Sequence, residues 1–90
     1  MTVTGKIKML NLNQQVSASY QKSEVVVETV EQYPQSILIE FGGQKSDLLD
    51  PYSVGDDVEV SINLRGREWQ SPQGEIKYFN SIQGWKISKI

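Results

Sequence analysis

Residues 54–69 read VGDDVEVSINLRGREW, and this stretch decides the fold. Apolar residues occupy every second position from 58 to 64, and polar residues fill the positions between them. A period of two is that of a β-strand with one buried face. A polar turn follows over residues 70–75, and a second segment rich in β-forming residues runs from Ile76 to Ile87. The sequence therefore predicts a long β-hairpin built from the last two strands of the chain.

The far half of this hairpin concentrates cationic and aromatic side chains that cannot all be buried together. Arg65, Arg67 and Trp69 share one parity of an extended strand, so we predict that they line one side of the hairpin. Single-stranded nucleic acid exposes both phosphates and base faces, and a sequence-tolerant binder therefore needs cations along a groove and aromatic rings on which bases stack. The candidate contacts in the hairpin are Arg65, Arg67, Trp69, Lys77, Tyr78 and Phe79.

Two arrangements of this cluster are open from the sequence. In the first, Trp69 and the arginines face a ligand. In the second, Trp69 packs over the hairpin while the arginines pair with Glu68, with Glu75 or with another subunit. Tyr78 and Phe79 have opposite parities, so one of them is predicted to stack on bases and the other to be core.

The end of the last strand contains a break in the alternation. Ile82 and Trp85 fall on opposite parities. A β-bulge at Gly84 would place both of them correctly, since a bulge inserts one extra residue into a strand. We predict that bulge, and a structural role for Trp85.

Three strands precede the hairpin. Alternating or β-branched residues predict strand 1 over Thr2–Leu12, strand 2 over Glu24–Val30 and strand 3 from Ile37 to the Gly42–Gly43 pair. Gly5 interrupts strand 1 and fits the tight coiling or bulge at a barrel corner. Pro34 fixes its own φ angle and marks the turn between strands 2 and 3.

The segment between strands 1 and 2 is polar and contains no Pro or Gly that would mark a tight turn over residues 11–23. We predict a flexible connection there, with strand-like edges as the open alternative at its two ends. It carries Tyr20 and Lys22. Tyr20 either stacks on a ligand or covers the end of the fold.

One short helical segment is predicted, over Gln44–Pro51. Ser46 is suited to cap its first turn, and Pro51 ends it. Leu48 and Leu49 give the segment an apolar side, which we expect to be core.

The formal net charge of −2 argues weakly against a nucleic-acid partner, but its distribution favours one. Residues 1–23 carry three lysines and no acid, residues 24–64 carry nine acids and one lysine, and residues 65–90 carry five cations and two acids. The three blocks sum to +3, −8 and +3. If the first and last blocks meet in the fold, Lys6 and Lys8 join one positive patch. The alternative is a chance segregation of surface charge.

Four motifs of the hairpin follow one another in the order Gly55-Asp56-x-Val58-x-Val60, Leu64-Arg65-x-Arg67-x-Trp69, a turn containing Gly74, and Lys77-Tyr78. Over about the last two fifths of the chain they resemble the strand 4 to strand 5 segment of the bacterial single-stranded DNA-binding proteins. The resemblance implies an all-β fold, a five-stranded OB-fold barrel. It also implies that the hairpin flanks the bound strand and that strands 1, 4 and 5 are neighbours.

With Gln32-Tyr33-Pro34 and Leu49-Asp50-Pro51-Tyr52 included, the whole chain resembles a small family of standalone OB-fold proteins. This resemblance implies one OB-fold domain over residues 1–90, with a short helical turn between strands 3 and 4. In OB-folds the strand 1–2 connection closes over ligands and strands 2 and 3 form much of the binding face. Here the outward positions of that face are Glu28, Glu40 and small residues, and the carboxylates repel phosphate.

Catalytic and metal-dependent functions have little support in the composition. The sequence contains no Cys and no His, which removes disulfides, thiolate metal sites and the commonest general base. We therefore predict no catalytic residue, no metal and no cofactor. The N-terminus lacks the apolar core of a signal peptide and no apolar run is long enough to span a bilayer, so we expect a cytoplasmic protein with no membrane partner. One carboxylate cluster is explained by helix capping and solubility: Asp47, Asp50, Asp56 and Asp57.

The predicted function is non-catalytic binding of single-stranded DNA, or RNA, with low sequence specificity, by an OB-fold homo-oligomer. The strand 4–5 hairpin and the strand 1–2 loop are predicted to make the contacts. The alternative function is a protein–protein interaction module, because the acidic middle of the chain can face a basic partner and strand edges permit β-augmentation. Outside the hairpin the predicted nucleic-acid-binding residues are Tyr20, Lys22, Lys6 and Lys8.

Overall fold

Five strands close into a barrel in the order β1-β2-β3-β5-β4. The computed structural model describes residues 1–90. Neighbouring strands are antiparallel except β3 and β5, which meet in parallel at the pair Glu40 and Gln83. This architecture confirms the predicted five-stranded barrel with a helical turn between β3 and β4. The elements are β1 (Thr2–Ser17), β2 (Tyr20–Thr29), β3 (Ser36–Gly42), a 3-10 helix (Gly43–Leu49), β4 (Asp57–Gln70) and β5 (Ile76–Lys89).

The core consists of the inward-facing residues of the strands and one residue from the 3-10 helix. Nine apolar side chains form it: Ile7, Val25, Val27, Ile39, Phe41, Leu49, Val58, Val60 and Ile62. Leu49 closes one end of the barrel, as predicted, but Leu48 is exposed and was wrongly expected in the core. Ser46 is buried and does not cap the helix, which begins after Gly42 with no side-chain cap.

The predicted flexible connection between β1 and β2 is wrong except for its strand-like edges, which extend further than expected. Both strands continue through it, so that only residues 18–19 form the turn. The paired segment is irregular, with register shifts between Asn11 and Gln14 and between Gln15 and Ser17. Both faces of a two-stranded ribbon that projects beyond a barrel meet water, so no alternation of apolar residues marked these strands in the sequence. Asn13 adopts a φ of 55°, and its backbone N–H donates to the Ser23 hydroxyl at 2.9 Å.

Two glycines allow close approaches that a side chain would block. A Cβ on Gly5 would collide with the backbone carbonyl of Glu28 on β2, and a Cβ on Gly84 would collide with the ring of Phe41 in the core. The register between β4 and β5 shifts beside Gly84, where Ser61 pairs with Lys86 but Ile62 pairs with Gly84. The unpaired residue is Trp85, so the predicted bulge is present and turns the indole away from the core.

The hairpin of β4 and β5 leaves the barrel after Ile62. Beyond that point the apolar parity of β4 no longer meets a core, and Leu64 is 65% exposed, contrary to the expectation that the alternation buries it. The projecting ribbons give the molecule extents of 47 × 35 × 19 Å. No helix in the chain has the length and apolar character needed to cross a bilayer.

Candidate nucleic-acid interface

Two projecting ribbons flank the candidate site. We call residues 13–22 the β1–β2 arm and residues 64–82 the β4–β5 arm. A groove of about 520 Å³ lies between them and is lined by Val16 and Tyr20 of the first arm and by Arg65, Arg67 and Phe79 of the second. A second cavity, of about 330 Å³, adjoins the groove and shares Tyr20, Glu40, Arg65 and Gln83 with it. The two arms therefore form opposite walls of one continuous depression.

Cations and aromatic rings share one face of the β4–β5 arm. Arg67 pairs across the ladder with Phe79, and Trp69 pairs with Lys77. Residues directly opposite each other in an antiparallel ladder lie on the same face. Since Arg65 has the parity of Arg67 along β4, the arm presents two guanidinium groups, one ammonium group, one indole and one phenyl ring on a single side. We call this side the arginine face.

The arginine face is open to solvent. Trp69 is 44% exposed and Phe79 is 46% exposed. The guanidinium carbon of Arg67 lies 5.5 Å from the centroid of the Phe79 ring, a cation–π arrangement worth about 0.5–1 kcal/mol at an exposed site. No carboxylate lies within ion-pairing distance of Arg65 or Arg67. The indole is therefore accessible, and neither arginine pairs with Glu68 or Glu75 within the chain.

Tyr78 does not join the arginine face. It pairs with Glu68 on the opposite side of the arm and is 73% exposed. The expectation that one of Tyr78 and Phe79 is core is wrong, because the arm projects beyond the barrel and neither of its faces is covered. The opposite side of the arm also exposes Leu64 and Ile76.

The lysines of the N-terminal block are paired with acids. Lys6 lies 3.4 Å from Asp57, and Lys8 lies 3.7 Å from Glu28. The two acids belong to the acidic middle of the chain, which the barrel brings beside β1 on both of its edges. Lys6 and Lys8 are therefore paired locally with acids and do not belong to the arginine face, and their merging with the C-terminal cations into one positive patch stays a prediction.

Lys22 is held by two carboxylates. Its ammonium group lies 3.3 Å from Glu40 and 3.7 Å from Glu24. Burial alone would lower the pKa of Lys22, but the hydrogen bond to Glu40 and the charges of both carboxylates outweigh it and raise that pKa above its ordinary 10.5. The geometry makes Lys22 a bridge between β2 and β3 instead of a free cation.

Several residues that line the depression were missed as site residues in the sequence. Glu40, Gln83 and Asn63 line its floor, and Trp85, predicted to be structural, is 45% exposed in the 330 Å³ cavity. The bulge turns Trp85 outward, and the signal for it was the broken parity around Gly84. Glu40, Gln83 and Asn63 come from three different strands, and only the barrel register brings them together.

Comparison with known proteins agrees with this architecture. A mitochondrial single-stranded DNA-binding protein from S. cerevisiae, Rim1, superposes with a TM-score of 0.67 at 17% sequence identity, over 100% of this chain and 92% of that one. At that identity the likeness establishes the OB-fold. None of the curated protein sequences compared with the chain matches it significantly. A family model described as a domain of unknown function (DUF3127) matches residues 2–88.

Proposed function

The chain belongs to the DUF3127 family, and from its structure we propose that it binds single-stranded nucleic acid, single-stranded DNA above all, without catalysing a reaction. The observation that carries the proposal is the arginine face, which borders a groove and holds unpaired cations beside exposed rings. These are the two kinds of group that an unpaired strand requires.

The proposed contacts divide by chemistry. Arg65, Arg67 and Lys77 bind phosphates, because they are the cations of the arm that no carboxylate neutralises. Phe79 and Trp69 stack on bases, and each stacked base contributes about 1–3 kcal/mol. Stacking tolerates every base, so most of the interface has low sequence specificity. Rim1 is described as a single-stranded DNA-binding protein, and the likeness of the two folds supports the same assignment.

A titration with labelled oligo-dT of about 20 nucleotides, a length that exceeds the usual site of one OB-fold, tests the proposal. We expect a rise in anisotropy together with quenching of tryptophan fluorescence. Three cations that each displace a counterion should give a slope of log K against log salt of about −2. Duplex DNA of the same length should bind more weakly, because its bases cannot reach the rings. Unchanged anisotropy and emission at low salt, with an intact fold by circular dichroism, would refute the proposal.

A second candidate function, protein–protein interaction, is favoured by the opposite side of the β4–β5 arm. Leu64, Tyr78 and Ile76 are exposed there. A groove of about 340 Å³ beside them also includes Leu38 of β3. We propose that a second copy of the chain covers this side, which leaves the arginine face of each copy free. Sedimentation analysis of the wild type and of Leu64→Lys tests this: the substitution should dissociate the oligomer, and a wild-type monomer at high concentration would contradict it.

A further inference from the structure

The floor of the depression carries a row of hydrogen-bonding side chains. Glu40 on β3 pairs with Gln83 on β5, and Gln83 pairs with Asn63 on β4. The three residues therefore lie side by side across three strands, about 4.8 Å apart from strand to strand. They all line the 330 Å³ cavity. We call them the polar row.

The polar row is largely unused by the protein itself. One carboxylate oxygen of Glu40 accepts a hydrogen bond from the Lys22 ammonium at 3.3 Å, and the other accepts none. Neither side-chain amide, of Gln83 or of Asn63, makes a hydrogen bond within the protein, and both side chains are exposed. The row thus presents a free acceptor beside two groups that both donate and accept.

Lys22 makes a carboxylate tolerable at this position. An unpaired carboxylate on the floor would repel a phosphate backbone. The lysine instead holds the Glu40 side chain at one oxygen and also lies 3.7 Å from Glu24, so the three groups together carry one net negative charge instead of two. The carboxylate is fixed by this bridge, so its free oxygen has a defined direction.

The walls of the cavity suit a base. Tyr20 and Trp85 both line it, and both are partly exposed aromatic rings. A base that leaves the backbone held by Arg65 can enter between these walls, and its hydrogen-bonding edge then meets the polar row. Stacking alone does not distinguish bases, but a row of fixed donors and acceptors does.

We propose that the polar row reads the edge of one base and favours cytosine and adenine, whose Watson–Crick edge carries an amino group beside a ring nitrogen that accepts a hydrogen bond, over thymine and uracil. Glu40 accepts a hydrogen bond from the amino group, and Gln83 donates to the adjacent ring nitrogen. In the same orientation thymine and uracil place a carbonyl oxygen against Glu40, and an ionised carboxylate has no hydrogen to give it, while their ring N3–H faces the amide donor of Gln83. The inference rests on the proposed function, to which it adds one selective position within an otherwise tolerant interface.

The test compares oligo-dC with oligo-dT of equal length, because both are pyrimidine strands of equal charge. We expect the wild type to bind oligo-dC at least about fivefold more tightly, which corresponds to the low end of the discrimination given by a good base contact. Glu40→Gln should bring the ratio of the two dissociation constants close to one, because an amide can also donate to thymine. The absolute affinities can rise for both strands since a negative charge is lost, so the ratio is the measured quantity.

Glu28→Gln is the matched control. Glu28 is also a carboxylate on the barrel surface paired with a lysine, Lys8, but it lines neither the groove nor the adjoining cavity. We expect it to keep the wild-type ratio. Equal binding of both strands by the wild type, or an unchanged ratio in Glu40→Gln, overturns the base-reading role while the proposed function stands. Binding of neither strand overturns both. The ratio of the two dissociation constants is measured on the wild type without any variant, so it can overturn the inference even if Glu40→Gln folds poorly.

Discussion

The two arms have the same construction and opposite surface chemistry. Each is an antiparallel ribbon that extends a barrel hairpin into solvent. The ladder of the β4–β5 arm is regular from Leu64 to Gln70, whereas the β1–β2 ladder shifts register twice beyond Asn11. The cations of the β4–β5 arm are unpaired, and Lys22 of the β1–β2 arm is bound to two acids. A cation on a projecting arm is therefore not always available to a ligand, because acidic residues on its own or a neighbouring strand can pair with it.

Removing the arms one at a time should give the largest difference in affinity for oligo-dT. Replacing residues 66–80 by Asn-Gly joins Arg65 to Ser81 through a two-residue turn that suits a hairpin. All nine core residues remain, so the barrel should fold. The lost rings and cations should weaken binding of oligo-dT by roughly 100-fold or more, since two stacked bases alone contribute that much.

The matched truncation replaces residues 15–21 by Asn-Gly and joins Gln14 to Lys22. It removes Tyr20 and no unpaired cation. We expect binding to fall by about tenfold or less, the value of one stacked base. Fluorescence anisotropy of a labelled strand measures both variants, and circular dichroism checks the fold. Equal losses in the two truncations would mean that the arms contribute alike and that the comparison is wrong.

The arginines should account for most of the salt dependence. We expect Arg65→Ala combined with Arg67→Ala to weaken binding roughly 20-fold at low salt and to make the slope of log K against log salt shallower by about 1.4, at 0.7 per phosphate of a single strand. The control is Lys6→Ala with Lys8→Ala, which removes the same charge from cations that already contact Asp57 and Glu28. Its slope should stay at the wild-type value. A shallower slope in the control would show that those ion pairs open when the strand binds.

Tyr78 and Phe79 are neighbours on β5 but lie on opposite faces of the arm, so a substitution at each of them tests one face. Phe79→Leu should weaken binding about tenfold, because it removes one stacking surface and the cation–π partner of Arg67. Tyr78→Leu removes a more exposed ring from the opposite face and should change binding less than twofold. Equilibrium titration with the same oligo-dT compares them. If Tyr78→Leu is the weaker binder, the face assigned to the ligand is the wrong one.

The sequence predicted the barrel better than the site, for a physical reason. Residues that face a core must alternate, so strand 4 was recognisable from Val58 to Ile62, and the broken parity at Gly84 revealed a real bulge. A solvated ribbon has no such requirement, so the polar sequence of residues 11–23 predicts a flexible connection where the structure has the β1–β2 arm. The parity of Arg65 and Arg67 placed them on one face correctly. Whether a cation is paired depends on the residue across the ladder, and no local pattern gave the partners of Lys6, Lys8 and Lys22.

The smallest expected effect concerns the paired state of Lys22. Its folded pKa is raised above 10.5, so its ion pairs stabilise the fold fully below that pH, and the stabilisation is lost as pH rises through the folded pKa. Lys22→Met should lower the free energy of unfolding by less than about 1 kcal/mol at neutral pH, since the pair is partly exposed. Its difference from the wild type in Tm should then shrink above pH 10.5. Lys45→Met, at a lysine with no ion pair, is the control and should match the wild type throughout. A Lys22→Met difference that persists unchanged at alkaline pH would mean that the ammonium charge of Lys22 does not account for the stabilisation, and the charge contrast between the arms would then lose its main support.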